Sequence, residues 1–245
     1  YDTGNNKVCT VSGLNGELKH LTFFKQSYFA DSLPGVWVYK GRILAGPFSF
    51  GIRYAGGEIL LPEWKGRVRT DLIECAIPMT EYALDGLRAC VVVFAPLSSD
   101  GAIRPRGAFY ILNIRNDSET VQKGEAILPE TGHYSDIIET DKASGWIFHH
   151  GDNVETDICI ATDGSRPRAV PFELAPGQSV MVPVWISVYG EDTLTQIWNG
   201  PMYWLEETLS YYRRLSGGLE FIKQPFLQEF FRRTLYQCQQ CIGMD

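Results

Sequence analysis

Residues 200–218 read GPMYWLEETLSYYRRLSGG, and the change of period in this stretch decides how the rest of the chain is read. Pro201 follows Gly200 at a first-helical-turn position, where a missing N–H is no loss and a fixed φ already suits a helix. Met202, Leu205, Leu209 and Tyr212 then recur at helical spacing until Gly217-Gly218 stops the run. That pattern predicts one amphipathic helix. A second begins at Pro225, with Leu227, Phe230, Phe231, Thr234, Leu235, Cys238 and Cys241 on one side. Glu229, Arg232, Arg233, Gln237 and Gln240 lie on the other, and the run ends near Gly243.

Upstream, from Tyr1 to about Gly190, the punctuation is that of an all-β protein. Short alternating or apolar runs are separated by clusters of Gly, Pro, Asn and Asp. The runs predict strands over Lys7–Val11, His20–Phe24, Val36–Ile43, Phe48–Tyr54, Arg67–Met79, Leu87–Phe94, Ala108–Arg115, Trp146–His150, Thr156–Thr162 and Ser179–Val188, too many for one small barrel. Asp85-Gly86 predicts a type I′ hairpin joining Thr70–Met79 to Leu87–Phe94, because that turn needs positive φ at both central residues. Ala108, Tyr110, Leu112 and Ile114 alternate with Asn113 and Arg115, the pattern of a strand half buried on one face. A β-rich region followed by two helices predicts a mainly β fold in which the helices cover a sheet or open a further domain. The expected division is a β-sandwich over 1–190 and a helical segment over 191–245.

The chain has 245 residues, enough for one large domain or two small ones with a core that needs no disulfide or metal. Hydrophobic residues make up 44% and charged residues 21%, so intrinsic disorder is not expected. Aromatic residues reach 13%, in keeping with a strand-rich fold. The 22 Lys and Arg against 29 Asp and Glu give a net charge of -7 with no basic stripe, which argues against a nucleic-acid partner. The longest apolar runs, Ala89 to Ala95 and Val180 to Val188, fall far short of the roughly 18–20 residues that cross a bilayer, so no membrane partner is expected. The opening Tyr1-Asp2-Thr3-Gly4 has no initiator Met and no leader, so the expectation is a removed signal peptide or a native start further upstream. At the other end, a broad apolar helix face closes the chain. Either it packs back on the sandwich, or it belongs partly to a domain located further downstream.

The six cysteines stand at 9, 75, 90, 159, 238 and 241. Cys75, Cys90 and Cys159 lie among apolar strand residues and read as core thiols. Cys238 and Cys241 have CxxC spacing but no second pair or His set to complete a zinc site, so two packed thiols on a helix are expected rather than a redox pair. Scattered thiols favour a reducing, cytoplasmic location and leave a periplasmic or secreted one open.

Four segments carry a family resemblance. ETLSYYRRLSG from Glu207 and PFLQEFFRRTLYQC from Pro225, coming after a large β-rich region, resemble the N-terminal part of bacterial glycoside hydrolases and phosphorylases whose catalytic domain is an (α/α)6 toroid. Thr208, Tyr211, Tyr212 and Arg213 stand where such enzymes carry a linker helix, and Arg232-Arg233-Thr234-Leu235 resembles the start of the first barrel helix. RPRGAFYILNIRNDS from Arg104 is similar to a sandwich strand of that family, and GPFSFGIRYAGGEILLPEW from Gly46 to its ligand-side or interface hairpins. The resemblance implies a galactose-mutarotase-like super-sandwich followed by two linker helices. It also implies that the partners are the C-terminal catalytic domain of the same polypeptide and an oligo- or polysaccharide, with oligomerisation open. The catalytic acid and base would then lie in the toroid, so the expectation here is no catalytic, cofactor or metal residue.

The residues taken singly agree with that expectation. A glycosidase needs two carboxyl groups facing across the scissile bond. Asp71 and Glu74, three apart on one predicted strand, point to opposite faces. Glu206 and Glu207 are helix neighbours that read as a solvated face. Asp136, Glu139 and Asp141 form an acidic patch without EF-hand spacing, and adjacent His149-His150 before Gly151-Asp152 point opposite ways on a strand. Ser12-Gly13, Ser98-Ser99 and Ser216-Gly217 lack a nucleophile elbow, while Gly56-Gly57 and Gly217-Gly218 lack a phosphate loop's Gly-Lys-Ser/Thr ending. Trp37, Trp64, Trp146, Trp185, Trp198 and Trp204 could stack on sugars but read mostly as core or interface. Asn116-Asp117-Ser118 is a glycosylation sequon relevant only in a eukaryotic secretory pathway. The expected function is a non-catalytic sandwich that shapes the active site of a carbohydrate-active enzyme. The alternative is a free-standing carbohydrate-binding module using exposed aromatics, and a complete small enzyme using sandwich carboxylates is the weakest option.

Overall fold

The computed structural model describes residues 1–5, 7–24, 42–129, 133–137, 140–141, 146–147, 150–155, 157–160, 167–187, 197, 199–218 and 224–241. The first sheet holds β1 (Asp2–Gly4), β2 (Val8–Ser12), β3 (Leu18–Phe24), β4 (Arg42–Ala45), β12 (His133–Ile137) and β15 (His150–Glu155), in that spatial order. A second runs β16 (Asp157–Ile160), β18 (Ser179–Ser187), β10 (Ala108–Asn116), β9 (Leu87–Phe94), β8 (Ile77–Ala83) and β7 (Val68–Ile73). A third runs β17 (Ala169–Leu174), β11 (Gln122–Ile127), β5 (Gly51–Tyr54) and β6 (Gly57–Leu60). β13 (Thr140–Asp141) pairs with β14 (Trp146–Ile147), and the strand pairs described are antiparallel. Two helices come after the strands, α1 (Pro201–Ser216) and α2 (Pro225–Cys241).

β10 explains the layering. Its residues are buried on both faces, so alternate side chains enter different cores. Tyr110, Leu112 and Ile114 join a cluster that takes Val8, Leu18 and Leu21 from the first sheet and Ile52, Ala126, Phe172 and Leu174 from the third. The second sheet therefore faces the other two across a β-sandwich core. Two tyrosines fasten this packing: Tyr82 donates its hydroxyl to Asn15 O, and Tyr110 donates to Gly16 O at 3.0 Å. Burial pushes both phenols above their ordinary range, so they stay protonated donors.

Phe109 and Ile111 point the other way, into a second cluster with Phe94, Trp185, Trp204, Leu209, Tyr212 and Tyr236. The Phe109 and Trp185 rings lie 4.9 Å apart and those of Tyr212 and Tyr236 4.6 Å apart. Each large side chain sealed in this way contributes roughly 1.5–3 kcal/mol of transfer free energy, which is what holds the helices to the sheet. The helices thus form a third layer on the outer face of the second sheet.

Several sequence expectations need correction. Arg67–Met79 is two strands, β7 and β8, joined by a turn in which Glu74 and Cys75 both adopt positive φ (49° and 66°). No Gly, Pro or Asn marks that turn, and it persists because both residues are held by tertiary contacts. The hairpin before Leu87 therefore starts from Ile77–Ala83. Its turn is not type I′: Gly86 has φ 75° while Asp85 has no positive φ. The strand expected over Phe48–Tyr54 begins at Gly51, since Phe48 makes only an isolated bridge to Leu18. β14 and β15 replace the single strand expected over Trp146–His150. Of Val36–Ile43, residues 36–41 lie outside the described residues, and of Thr156–Thr162 only 157–160 are described, as β16. β11 and β17 had no counterpart among the expected strands, because QKGEAI and AVPFEL are too polar or interrupted to stand out.

Candidate functional site

The helices are locked to the sandwich by polar side chains as well as by aromatic packing. Thr208, fully buried on α1, accepts a hydrogen bond from Leu97 N at 3.2 Å and donates to Trp204 O at 2.7 Å. Glu207 accepts from Ser99 N at 2.8 Å, and Arg214 donates to Ser99 O. Arg213 forks, its Nε donating to Glu74 at 2.7 Å and Nη1 to Glu206 at 2.6 Å. The hydrogen bond from Arg213 holds the Glu206 carboxyl below its ordinary range. Arg213 thereby bridges the β7–β8 turn to α1, and Glu74 keeps its left-handed backbone as part of that fork.

α2 is held by one end. Tyr236 is 2% exposed, and its hydroxyl donates to Ser216 Oγ at 2.9 Å at the end of α1. Burial raises the Tyr236 phenol above its ordinary value. Phe231 and Leu235 are half-buried. The other half of the helix is open. Phe226 is 75% exposed, Leu227 42% and Phe230 61%, and on α1 Met202 is exposed at 54% with Tyr203 beside it. The apolar face expected on α2 is therefore divided. Leu235 and Phe231 are turned inward, while Leu227, Phe230, Thr234 and Cys238 face solvent, because Tyr236 and not the Leu227 row meets the sheet layer. On α1, too, the expected stripe rotates: Trp204, Thr208, Leu209, Tyr212 and Ser216 are buried and Met202 is not.

The residues considered for chemistry fall apart in space. Asp71 accepts from Leu72 N and pairs with Arg69, which holds its carboxyl low, whereas Glu74 turns to Arg213. Glu206 faces solvent in its ion pair, but Glu207 is half-buried and bonded to the Ser99 backbone, so the solvated-face expectation holds for one of the two. Ser98 is buried, donating to Asp100 and accepting from Ile103 N. Ser12 is buried and Ser216 receives the Tyr236 hydroxyl. The side chains of Asp136, Asp141, His150 and Asp152, and all of Glu139 and His149, lie outside the described residues. Among the described residues no group of three His, Cys, Asp or Glu could hold a metal ion, and no helix is long and apolar enough to cross a membrane.

The tryptophans are core where they are described. Trp185 and Trp204 are buried, and Trp64 is half-buried with its indole N–H on Ala83 O at 3.0 Å. Trp37 and Trp198 and the side chain of Trp146 lie outside the described residues. Cys75 and Cys90 are half-buried rather than sealed, and burial pushes the Cys90 thiol up to about 11. Cys238 is exposed, so the expected pair of packed thiols is not formed at that position; the side chains of Cys159 and Cys241 lie outside the described residues. Asn116 of the sequon is fully buried, donating to Thr120 O and Leu174 O. It is a structural asparagine.

One cleft, of about 610 Å³, opens on the third sheet beside Arg53, Glu58, Lys123 and Glu125. Arg53 and Glu58 fall in the GPFSFGIRYAGGEILLPEW segment compared above with ligand-side or interface hairpins, whereas Lys123 and Glu125 sit on β11, too polar to stand out in the sequence. Neither a scan against protein-family models nor a search of curated proteins returned a match for this chain.

Proposed function

We propose that this chain is the non-catalytic sandwich region of a carbohydrate-active enzyme, a glycoside hydrolase or phosphorylase, with α1 and α2 leading into a helical (α/α)6 catalytic domain. In this reading the β-sandwich is of the galactose-mutarotase-like kind, spanning residues 1–190, with 191–245 as the helical link. The observation that supports it best is the uncovered apolar half of α2. Phe226, Leu227 and Phe230 expose large side chains to water while the other end of the same helix is anchored through Tyr236. Exposed apolar surface of this kind is what a docking domain buries.

The test is to read the native reading frame past position 245 and to express the downstream segment as a separate chain. Paired amphipathic helices there, associating with this chain and losing that association on Phe226→Asp with Phe230→Asp, support the proposal. A stop codon at or near position 245, or association unchanged by the double substitution, overturns it.

A further inference from the structure

The apolar surface that α2 leaves in water has an internal order. Phe226, Phe230, Thr234 and Cys238 follow one another at four-residue intervals, and all of them are exposed. Residues four apart form a ridge along a helix surface, so this set makes one ridge about 18 Å long. Leu227, exposed, with Phe231 and Leu235, half-buried, forms the next ridge on the inward side, and a groove runs between the two. The outer ridge also tapers. Aromatic rings occupy its first half, while Thr234 and Cys238 fill the second with small side chains.

The polar groups at this ridge are already satisfied. Thr234 donates its hydroxyl to Phe230 O at 2.9 Å, so covering this side chain leaves no donor unmatched. Arg233, at the ridge's edge, pairs with Glu229 at 2.5 Å, and the two charges cancel. An anionic lipid surface is held by Lys and Arg beside the apolar side chains, and here the bordering Arg is neutralised. A strand-adding peptide needs open backbone N–H and C=O groups, which a helix interior does not offer. The apolar face of another helix asks for neither, only for ridges and grooves without charge. The ridge's length selects the crossing. Helices that cross at about 50° touch near one point, whereas helices inclined by about 20° stay in contact over several turns. Only the shallow crossing covers Phe226 and Cys238 together. A partner lying along this taper must set small residues against the two rings and a large apolar one over Thr234 and Cys238.

We infer that, within the docking role proposed above and resting on it, the exposed face of α2 seats one amphipathic helix of the downstream domain, laid at a shallow angle along Phe226, Phe230, Thr234 and Cys238. The C-terminal half of the seat, Thr234 and Cys238, distinguishes this contact from one made by the two phenylalanines alone. The experiment adds the downstream segment, expressed as a separate chain, to the full chain. It reads the dissociation constant and the rate at which N-ethylmaleimide modifies Cys238, followed by peptide mass spectrometry. In the complex Cys238 is expected to react at least about tenfold more slowly than in the chain alone. Thr234→Glu puts a charge into the covered ridge and should weaken association at least about tenfold. The position is exposed and Glu is a good helix former, so the melting temperature of the chain alone should stay little changed. Cys238 equally reactive in the complex, or association undiminished in Thr234→Glu, overturns the helix seat. If Phe226→Asp with Phe230→Asp still abolishes association in that case, the docking role of α2 stands without it. No association of the downstream segment overturns both. Cys238 already slow in the chain alone and faster on dilution would place a second copy on the ridge, and slowing by phosphatidylglycerol vesicles would place a membrane there; either result overturns the seat.

Discussion

Asn116 holds more of this protein together than its place in a surface-type sequon suggests. Its amide nitrogen donates to Thr120 O at 2.7 Å and Leu174 O at 2.8 Å, and its carbonyl oxygen accepts from Ser118 N at 2.9 Å and the Ser118 hydroxyl at 2.7 Å. The residue is fully buried. Asn116→Ala removes the buried amide donor to Leu174 O and the acceptor of Ser118 N, while Thr120 O keeps the Ser118 hydroxyl, so it is expected to cost about 1–3 kcal/mol in urea unfolding; a cost under about 0.5 kcal/mol would mean that water replaces the amide. Asn5 works in the same way, donating to Pro96 O at 2.6 Å and Pro105 O at 2.9 Å. In the sequence Asn116 reads as part of a sequon, and nothing marks Asn5. Their acceptors include carbonyls 58 to 100 residues distant, and a residue's neighbours in the chain carry no trace of such partners.

Among the elements, α1 illustrates how far local signals reach. Its limits at Pro201 and Ser216 come from Pro in the first turn and Gly217 after the last, both consequences of backbone geometry alone. The face it buries has another origin, because Thr208 and Trp204 are drawn in by Leu97 and the aromatic surface of the second sheet. The Arg213 fork at its C-terminal half makes a pH prediction. Glu206 has its folded pKa lowered below the ordinary 4.5 by Arg213. Its contribution is therefore complete above the unfolded value and is lost as pH falls through the lowered folded value. Protection against exchange of the Arg213 Nη1–H, which donates to Glu206, should hold from about pH 6 to 5 and decline only below about pH 4.5, and Glu206→Gln should remove part of that decline. A decline between pH 6 and 5, or one untouched by Glu206→Gln, would contradict this account. The unmarked turn at Glu74-Cys75 belongs to the same contact. Two non-glycine residues in left-handed conformation cost of order 1–3 kcal/mol each, and the bonds from Arg213 to Glu74 help to offset that strain.

For the whole molecule, the uneven anchoring of α2 sets two substitutions against each other. In the chain alone, Phe226→Asp and Phe230→Asp should each change unfolding free energy by less than about 0.5 kcal/mol, because both side chains already face water. Tyr236→Ala should cost about 3–5 kcal/mol through the cavity it opens beside Tyr212 and Ser216. Denaturation of the three variants side by side checks this, and an equal cost for Phe226→Asp would show that its face is covered within the chain. The sequence by itself determined that strands precede helices, where the first helix starts and stops and the second starts, and that Leu87–Phe94 and Ala108–Arg115 are strands, since these depend on proline and glycine geometry and on runs of apolar residues; Ala108–Arg115 was expected to be half buried on one face, and the layers packed on both sides of β10 bury it on both. Tertiary structure alone decided the sheet order, the split of Arg67–Met79 into a hairpin, the helix faces that are buried and the cleft between Arg53 and Lys123. Each of these depends on partners far apart in the chain. β5, β11 and β17, for example, come together only when Ile52, Ala126 and Phe172 enter one core, and no local pattern records which distant segment will supply the other side of a contact.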